Sequence, residues 1–158
     1  MKKIGLIGGM SWESTQLYYK LINQKVREAL GGFHSARCVI ESVEFSEIHA
    51  LQNVNDWNAL NDKMVEAATN LKSAQADVLL ICANTMHLCS DAITEHVDLP
   101  LIHIAEATGK EIQKLQLKKV LLLGTKFTME RDFFTNILMS QFGIEAIIPE
   151  ASDRDEVH

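Results

Sequence analysis

Asp77-Val78-Leu79-Leu80-Ile81-Cys82-Ala83-Asn84-Thr85-Met86-His87 carries the fold in eleven residues. Asp77 to Ala83 reads as one strand, its apolar run unbroken by alternation, the pattern of a strand covered on both faces. It breaks at Asn84-Thr85, two residues suited to a helix start, and the spacing predicts a helix from there toward His96. Working outward, short apolar runs at 3–7, 37–43, 101–104 (behind Pro100), 119–123 and 144–148 predict further strands. Between them lie helical patterns. Residues 13–30 place Leu17, Tyr18, Leu21, Ile22, Val26 and Leu30 close to one face, and 56–74 do so with Leu60, Met64, Ala67, Ala68 and Leu71. Residues 105–115 and 128–142 complete the set, with Gly31-Gly32 and Gly143 as C-terminal stops. Strands alternating with helices imply parallel sheets joined by right-handed crossovers.

The chain also echoes itself. Lys2-Lys3-Ile4-Gly5-Leu6-Ile7-Gly8 is matched by Lys118-Lys119-Val120-Leu121-Leu122-Leu123-Gly124, and the following helices carry Tyr18-Tyr19 and Phe133-Phe134. The expected architecture is α/β with two similar lobes, each a parallel sheet flanked by helices, over residues 1–100 and 101–158. Ser152-Asp153-Arg154-Asp155-Glu156 predicts a Ser-capped helix start that reaches His158 before burying anything, so the second lobe is expected to be incomplete in this chain.

Composition removes several classes. Lys and Arg total 15 against 21 Asp and Glu, a formal charge of -6, which argues against a nucleic-acid footprint. No apolar stretch approaches a membrane span. Cys38, Cys82 and Cys89 lack disulfide-framework spacing, so reduced thiols and a cytoplasmic location are expected.

Ligands of open α/β sheets bind beyond the carboxyl ends of the strands. Three loops fall there: Gly8-Gly9-Met10-Ser11, Cys82-Ala83-Asn84-Thr85 and Gly124-Thr125-Lys126. Each leads to a predicted helix N-terminus, which favours an anion such as a carboxylate or phosphate. The first loop lacks the G-x-G-x-x-G of a dinucleotide site. Cys82, at a strand end before a helix, is expected to have a lowered pKa, or else to be a buried structural thiol. Asn84 and Thr85 are read as helix caps that also offer hydrogen bonds to a carboxylate. Cys82, His87, Cys89 and His103 match no zinc spacing. His87 reads either as a partner behind the site or as an ordinary helix residue.

Three segments together resemble the aspartate/glutamate racemase family, closest to its bacterial broad-specificity amino-acid racemase branch. They are Ile4-Gly5-Leu6-Ile7-Gly8-Gly9-Met10-Ser11-Trp12-Glu13-Ser14-Thr15, Asn84-Thr85-Met86-His87 and Leu123-Gly124-Thr125-Lys126-Phe127-Thr128-Met129-Glu130. The resemblance implies a site between two α/β lobes and an enzyme that needs neither a cofactor nor a metal. It implies two proton-carrying groups, usually cysteines, on opposite faces of an amino-acid substrate. It also implies that Asn84 and Thr85 contact the substrate carboxylate, with Met10, Ser11, Gln52 and Thr125 lining the site. The family's first catalytic position is Ala83 here, which has no proton to exchange. Cys82 is the substitute in reach, though adjacent strand residues face opposite ways. The second catalytic cysteine is expected near residue ~198, beyond His158.

The resulting expectation is a racemase or epimerase of aspartate, glutamate or a small polar amino acid. The alternatives are a one-cysteine decarboxylase or isomerase of a small dicarboxylate, or an amino-acid-binding relic. The expected partners are the substrate and a second copy, with Trp12–Tyr19 either core or dimer surface.

Overall fold

The computed structural model describes all residues from Met1 to His158. They form two compact units, Met1–Ile102 and His103–His158. In the first unit β1 (Ile4–Gly8) is the middle strand, paired in parallel with β2 (Cys38–Ser42) on one edge and β3 (Val78–Ile81) on the other. α1 (Trp12–Leu30) links β1 to β2, and α2 (Phe45–Asn53) and α3 (Trp57–Ser73) link β2 to β3. A 3₁₀ turn, Thr85–Cys89, and α4 (Ser90–His96) follow β3.

The core lies between one face of this sheet and α3. Ile7, Leu79 and Ile81 pack into one cluster with Leu60, Met64, Ala67, Ala68 and Leu71. The helical spacing of the α3 residues delivers them to that face, and burying each Leu or Met contributes on the order of 1.5–3 kcal/mol. α1 is different: Thr15 is its only buried residue, and Leu17, Leu21 and Leu30 are each about half exposed. Trp12 and Tyr19 are exposed too, while Tyr18 between them is half-buried, so the aromatic start of α1 lies mostly at the surface.

The second unit pairs β4 (Lys119–Leu121) in parallel with β5 (Glu145–Ile147). α5 (Ile104–Lys114), α6 (Lys126–Glu130), α7 (Asp132–Phe142) and α8 (Ala151–Val157) complete it. Ala105, Phe134, Leu138 and Ile144 form its own core. Gly143 ends α7 in the left-handed conformation, as its position in the sequence implied.

Several elements differ from the sequence reading. α2 was not visible there: its cap is Glu44, accepting from the Ser46 N–H at 3.2 Å, and Ile48 is its only buried residue. Residues 101–104 are not a strand. Leu101 makes a single parallel bridge to Leu79, and the His103 ring then accepts from the Ala105 N–H, turning the chain into α5. The helix expected at 128–142 is two, α6 and α7, because Arg131 is extended between them. Ser152 is not a cap: Glu150 holds that position, and the Ser152 hydroxyl donates to Asp153. α8 buries no residue and is tied to α6 by the Arg154–Glu130 and Lys126–Asp155 ion pairs.

Gly9 sits at φ 91°, where an added Cβ would run into the Val43 carbonyl. Gly9→Ala is therefore expected to destabilise the first unit by about 2 kcal/mol or more, read as a lowered urea midpoint.

Candidate functional site

The carboxyl ends of all three strands of the first unit meet at one edge, and hydrogen bonds stitch their loops together. The Cys82 N–H donates to the Ile7 carbonyl at 2.9 Å, extending β3 one residue past its regular end. The Ser14 hydroxyl, in the first turn of α1, donates to the Cys82 carbonyl at 2.6 Å. On the other edge the Val43 N–H donates to the Gly8 carbonyl at 3.0 Å. The buried Gly9 N–H donates to Thr15 Oγ1 at 2.9 Å, and that hydroxyl donates to the Ser11 carbonyl at 3.3 Å. Neither Ser14 nor Thr15 was singled out from the sequence. The available signal was a pair of hydroxyl residues one turn after Gly8-Gly9, where loop amides need acceptors.

Gln52 enters from the end of α2, its Nε2 donating to Met86 Sδ at 3.3 Å. The structure thus brings Met10, Ser11, Ala83, Asn84 and Thr85 together where the strands end, with Gln52 beside them on the last turn of α2. Their exposures differ. Met10 and Thr85 are buried, Ser11, Gln52 and Ala83 are half-buried, and Asn84 is exposed. The Ser11 hydroxyl bonds the Glu13 carboxyl and, with Glu13's own backbone N–H, holds it below its ordinary pKa. Ser11 occupies the cap position of α1 without a side-chain cap bond.

Thr125 belongs to the second unit. It caps α6, its Oγ1 accepting from the Thr128 N–H at 3.3 Å and lying 3.2 Å from Thr128 Oγ1. Thr128 is buried beneath it.

Two sequence expectations need correction. First, only α1, of 19 residues, has a full helix N-terminus at such a loop. The 3₁₀ turn and α6 have five residues each, too few for a substantial macrodipole. Asn84 leads the 3₁₀ turn with no side-chain cap bond, and it is exposed.

Second, the Cys82 thiol is not activated. Burial pushes its pKa up to about 12, the reverse of a lowered value beside a helix start and in keeping with the other reading of Cys82, a buried structural thiol. Cys82 is only 1 % exposed and raises the pKa of Tyr18 on α1, after the larger effect of Tyr18's own burial. Ala83 instead packs against the α3-side core. Adjacent residues take opposite faces, so Cys82 does not occupy the Ala83 position. Cys89, also buried, is likewise raised to about 12. Cys38, at the start of β2, lies at the opposite end of the sheet from the loops and is raised by partial burial. No three His, Cys, Asp or Glu side chains gather as a metal-binding group.

These thiols should resist modification. At pH 8, mass spectrometry after brief iodoacetamide treatment is expected to find Cys38 alkylated well before Cys82 or Cys89. Their raised pKa values also carry a sign for stability. The folded state holds both protons more tightly than an unfolded thiol of about 8.5. That stabilisation is full below about pH 8.5 and is lost as pH rises toward 12. The urea midpoint is expected to fall through this window, and to fall less in Cys82→Ala.

A family model described as Asp/Glu/Hydantoin racemase matches residues 7–158. The broad specificity amino-acid racemase RacX of Bacillus subtilis (strain 168) is 27% identical over 138 residues, covering 85% of this chain and 60% of that protein. A crystal structure from Yersinia pestis, described as a candidate Asp/Glu racemase, is 48% identical with a TM-score of 0.93. It matches 99% of this chain and 68% of its own. An aspartate racemase homologue from Pyrococcus horikoshii OT3 is 37% identical with a TM-score of 0.85, again over 99% of this chain and 68% of its own. The chain thus spans about 60% of the curated relative's length, and no helix in it is long and apolar enough to cross a membrane. With the sheet-edge loops, the Asn84-Thr85 turn and a family match over nearly its whole length, this chain belongs to the Asp/Glu/hydantoin racemase family.

Proposed function

We propose that this chain supplies the carboxylate-holding half of a cofactor-independent amino-acid racemase acting on aspartate, glutamate or a small polar amino acid. The observation that carries the reading is the convergence of the Gly9–Ser11, Gln52 and Ala83–Thr85 segments where the strands end, with Asn84 exposed.

The chemistry demands such a half-site. The α-hydrogen of an amino acid is very weakly acidic, and its removal leaves charge that spreads into the carboxylate. Donors already aimed at those oxygens stabilise that state without reorganising during the reaction. Asn84 and Thr85 are the proposed donors, with Gln52, Met10 and Ser11 shaping the edge. A proton is then returned to the opposite face by a second group.

Ala83 itself has no proton to give or take. With Cys82 and Cys89 protonated at neutral pH and Cys38 at the far end of the sheet, the thiol for the other face comes from outside these three. Removal and return through one thiol exchanges the α-hydrogen without inversion. Inversion then depends on water reaching the Ala83 face. Exchange is therefore expected to outpace racemisation. The racemase descriptions of the relatives do not favour the decarboxylase or binding-relic readings. The free thiols suit a reducing compartment, and a cytoplasmic location is part of the proposal. So is pairing of two copies, which a monomer by sedimentation velocity would remove.

The test is deuterium incorporation at Cα of L-aspartate, L-glutamate and L-homoserine in heavy water, measured together with formation of the D-isomer. No exchange with any of the three would reject the reading. Ala83→Cys is expected to raise racemisation relative to exchange. Asn84→Ala should weaken amino-acid binding about 10- to 100-fold, the loss of one hydrogen bond to a charged group.

A further inference from the structure

His87 is 1 % exposed, and its Nδ1 lies 3.0 Å from the Ala83 carbonyl oxygen and 3.2 Å from that of Asn84. Carbonyls only accept, so Nδ1 carries the proton. In an α-helix the Ala83 carbonyl would receive the His87 backbone N–H, four residues on. Here the ring takes part of that role, and the backbone N–H goes to the Asn84 carbonyl, three residues back, at 3.0 Å. This i→i−3 bond is what makes the segment a 3₁₀ turn. The imidazole and the tighter turn meet at the same two carbonyls. They act on Ala83 and Asn84, the residue at the altered catalytic position and the proposed carboxylate donor.

We propose that His87 is a positioning residue: its Nδ1–H clamps the Ala83 and Asn84 carbonyls and thereby fixes the 3₁₀ geometry in which Asn84 is exposed. The structural part stands on its own distances, and the consequence for an amino-acid ligand rests on the proposed function above. The side chain touches no reacting atom. Its role is to remove conformational freedom from the turn before a ligand arrives, which lowers the ordering cost of binding. A hydrophobic residue of similar size would fill the space without making the clamp.

The experiment compares the full chain with His87→Asn and His87→Leu. Asparagine Nδ2 stands close to where histidine Nδ1 does and keeps the donor, whereas leucine keeps bulk alone. Amide hydrogen exchange across residues 85–89 judges the clamp, with α3 amides reporting global stability. Calorimetric titration with L-aspartate and L-glutamate judges the site. His87→Leu is expected to speed exchange locally about tenfold and weaken binding about tenfold, about 1.4 kcal/mol, with α3 amides unchanged. His87→Asn should restore both. Unchanged local exchange in His87→Leu, or no rescue by His87→Asn, would overturn the proposal. Should the unaltered chain bind neither amino acid while the exchange pattern holds, the clamp stands and the racemase reading of the site falls.

Discussion

Everything at the site hangs on β1 being bonded along both of its edges. A central parallel strand gives its neighbours no choice of direction, so the loops after β1, β2 and β3 leave from the same end. The ladder then continues past the regular strands. Ile7 receives the Cys82 N–H and Gly8 receives the Val43 N–H. Those two bonds hold the flanking chains against the Gly8-Gly9 turn, and Ser14 closes the arrangement by reaching from α1 to the Cys82 carbonyl. Two facing covalent segments, far apart in sequence, are thereby placed within hydrogen-bond reach before any ligand is considered.

Within that frame the chemistry is divided in a way the residue types alone do not reveal. The thiol beside the turn is the group with obvious reactivity, yet burial against the α1 side keeps it protonated and inert. Ala83, half-buried against the core on the α3 side, has no chemistry to offer, and the exposed position belongs to Asn84 with its carboxamide. What remains is a loop edge held by buried backbone bonds and a buried imidazole.

Much of the fold was legible because it rests on periodicity. The unbroken run from Val78 to Ile81 and the helical spacing of Leu60, Met64, Ala67, Ala68 and Leu71 describe the same interface from its two sides. The elements that escaped the sequence reading lack such patterns. α2 buries one residue and takes its cap from a glutamate. The 101–104 run has strand composition but only one bridging partner, since its neighbour β3 is short. At the site, Ala83, Asn84, Thr85 and Gln52 were identified by resemblance to a family. The supporting hydroxyls of Ser14 and Thr15 were not, because their partners are backbone groups on other segments.

By itself, the sequence determined the class of the fold, the family and the residue identities at the loops, including an alanine at position 83. These depend on local spacing and side-chain type, which any stretch of chain carries with it. Only the tertiary structure decided that Cys82 is buried and unactivated, that the turn after β3 is 3₁₀, and that His87 holds it. The pKa of a thiol depends on what surrounds it, and a carbonyl shared between a ring and the backbone is a contest settled by packing.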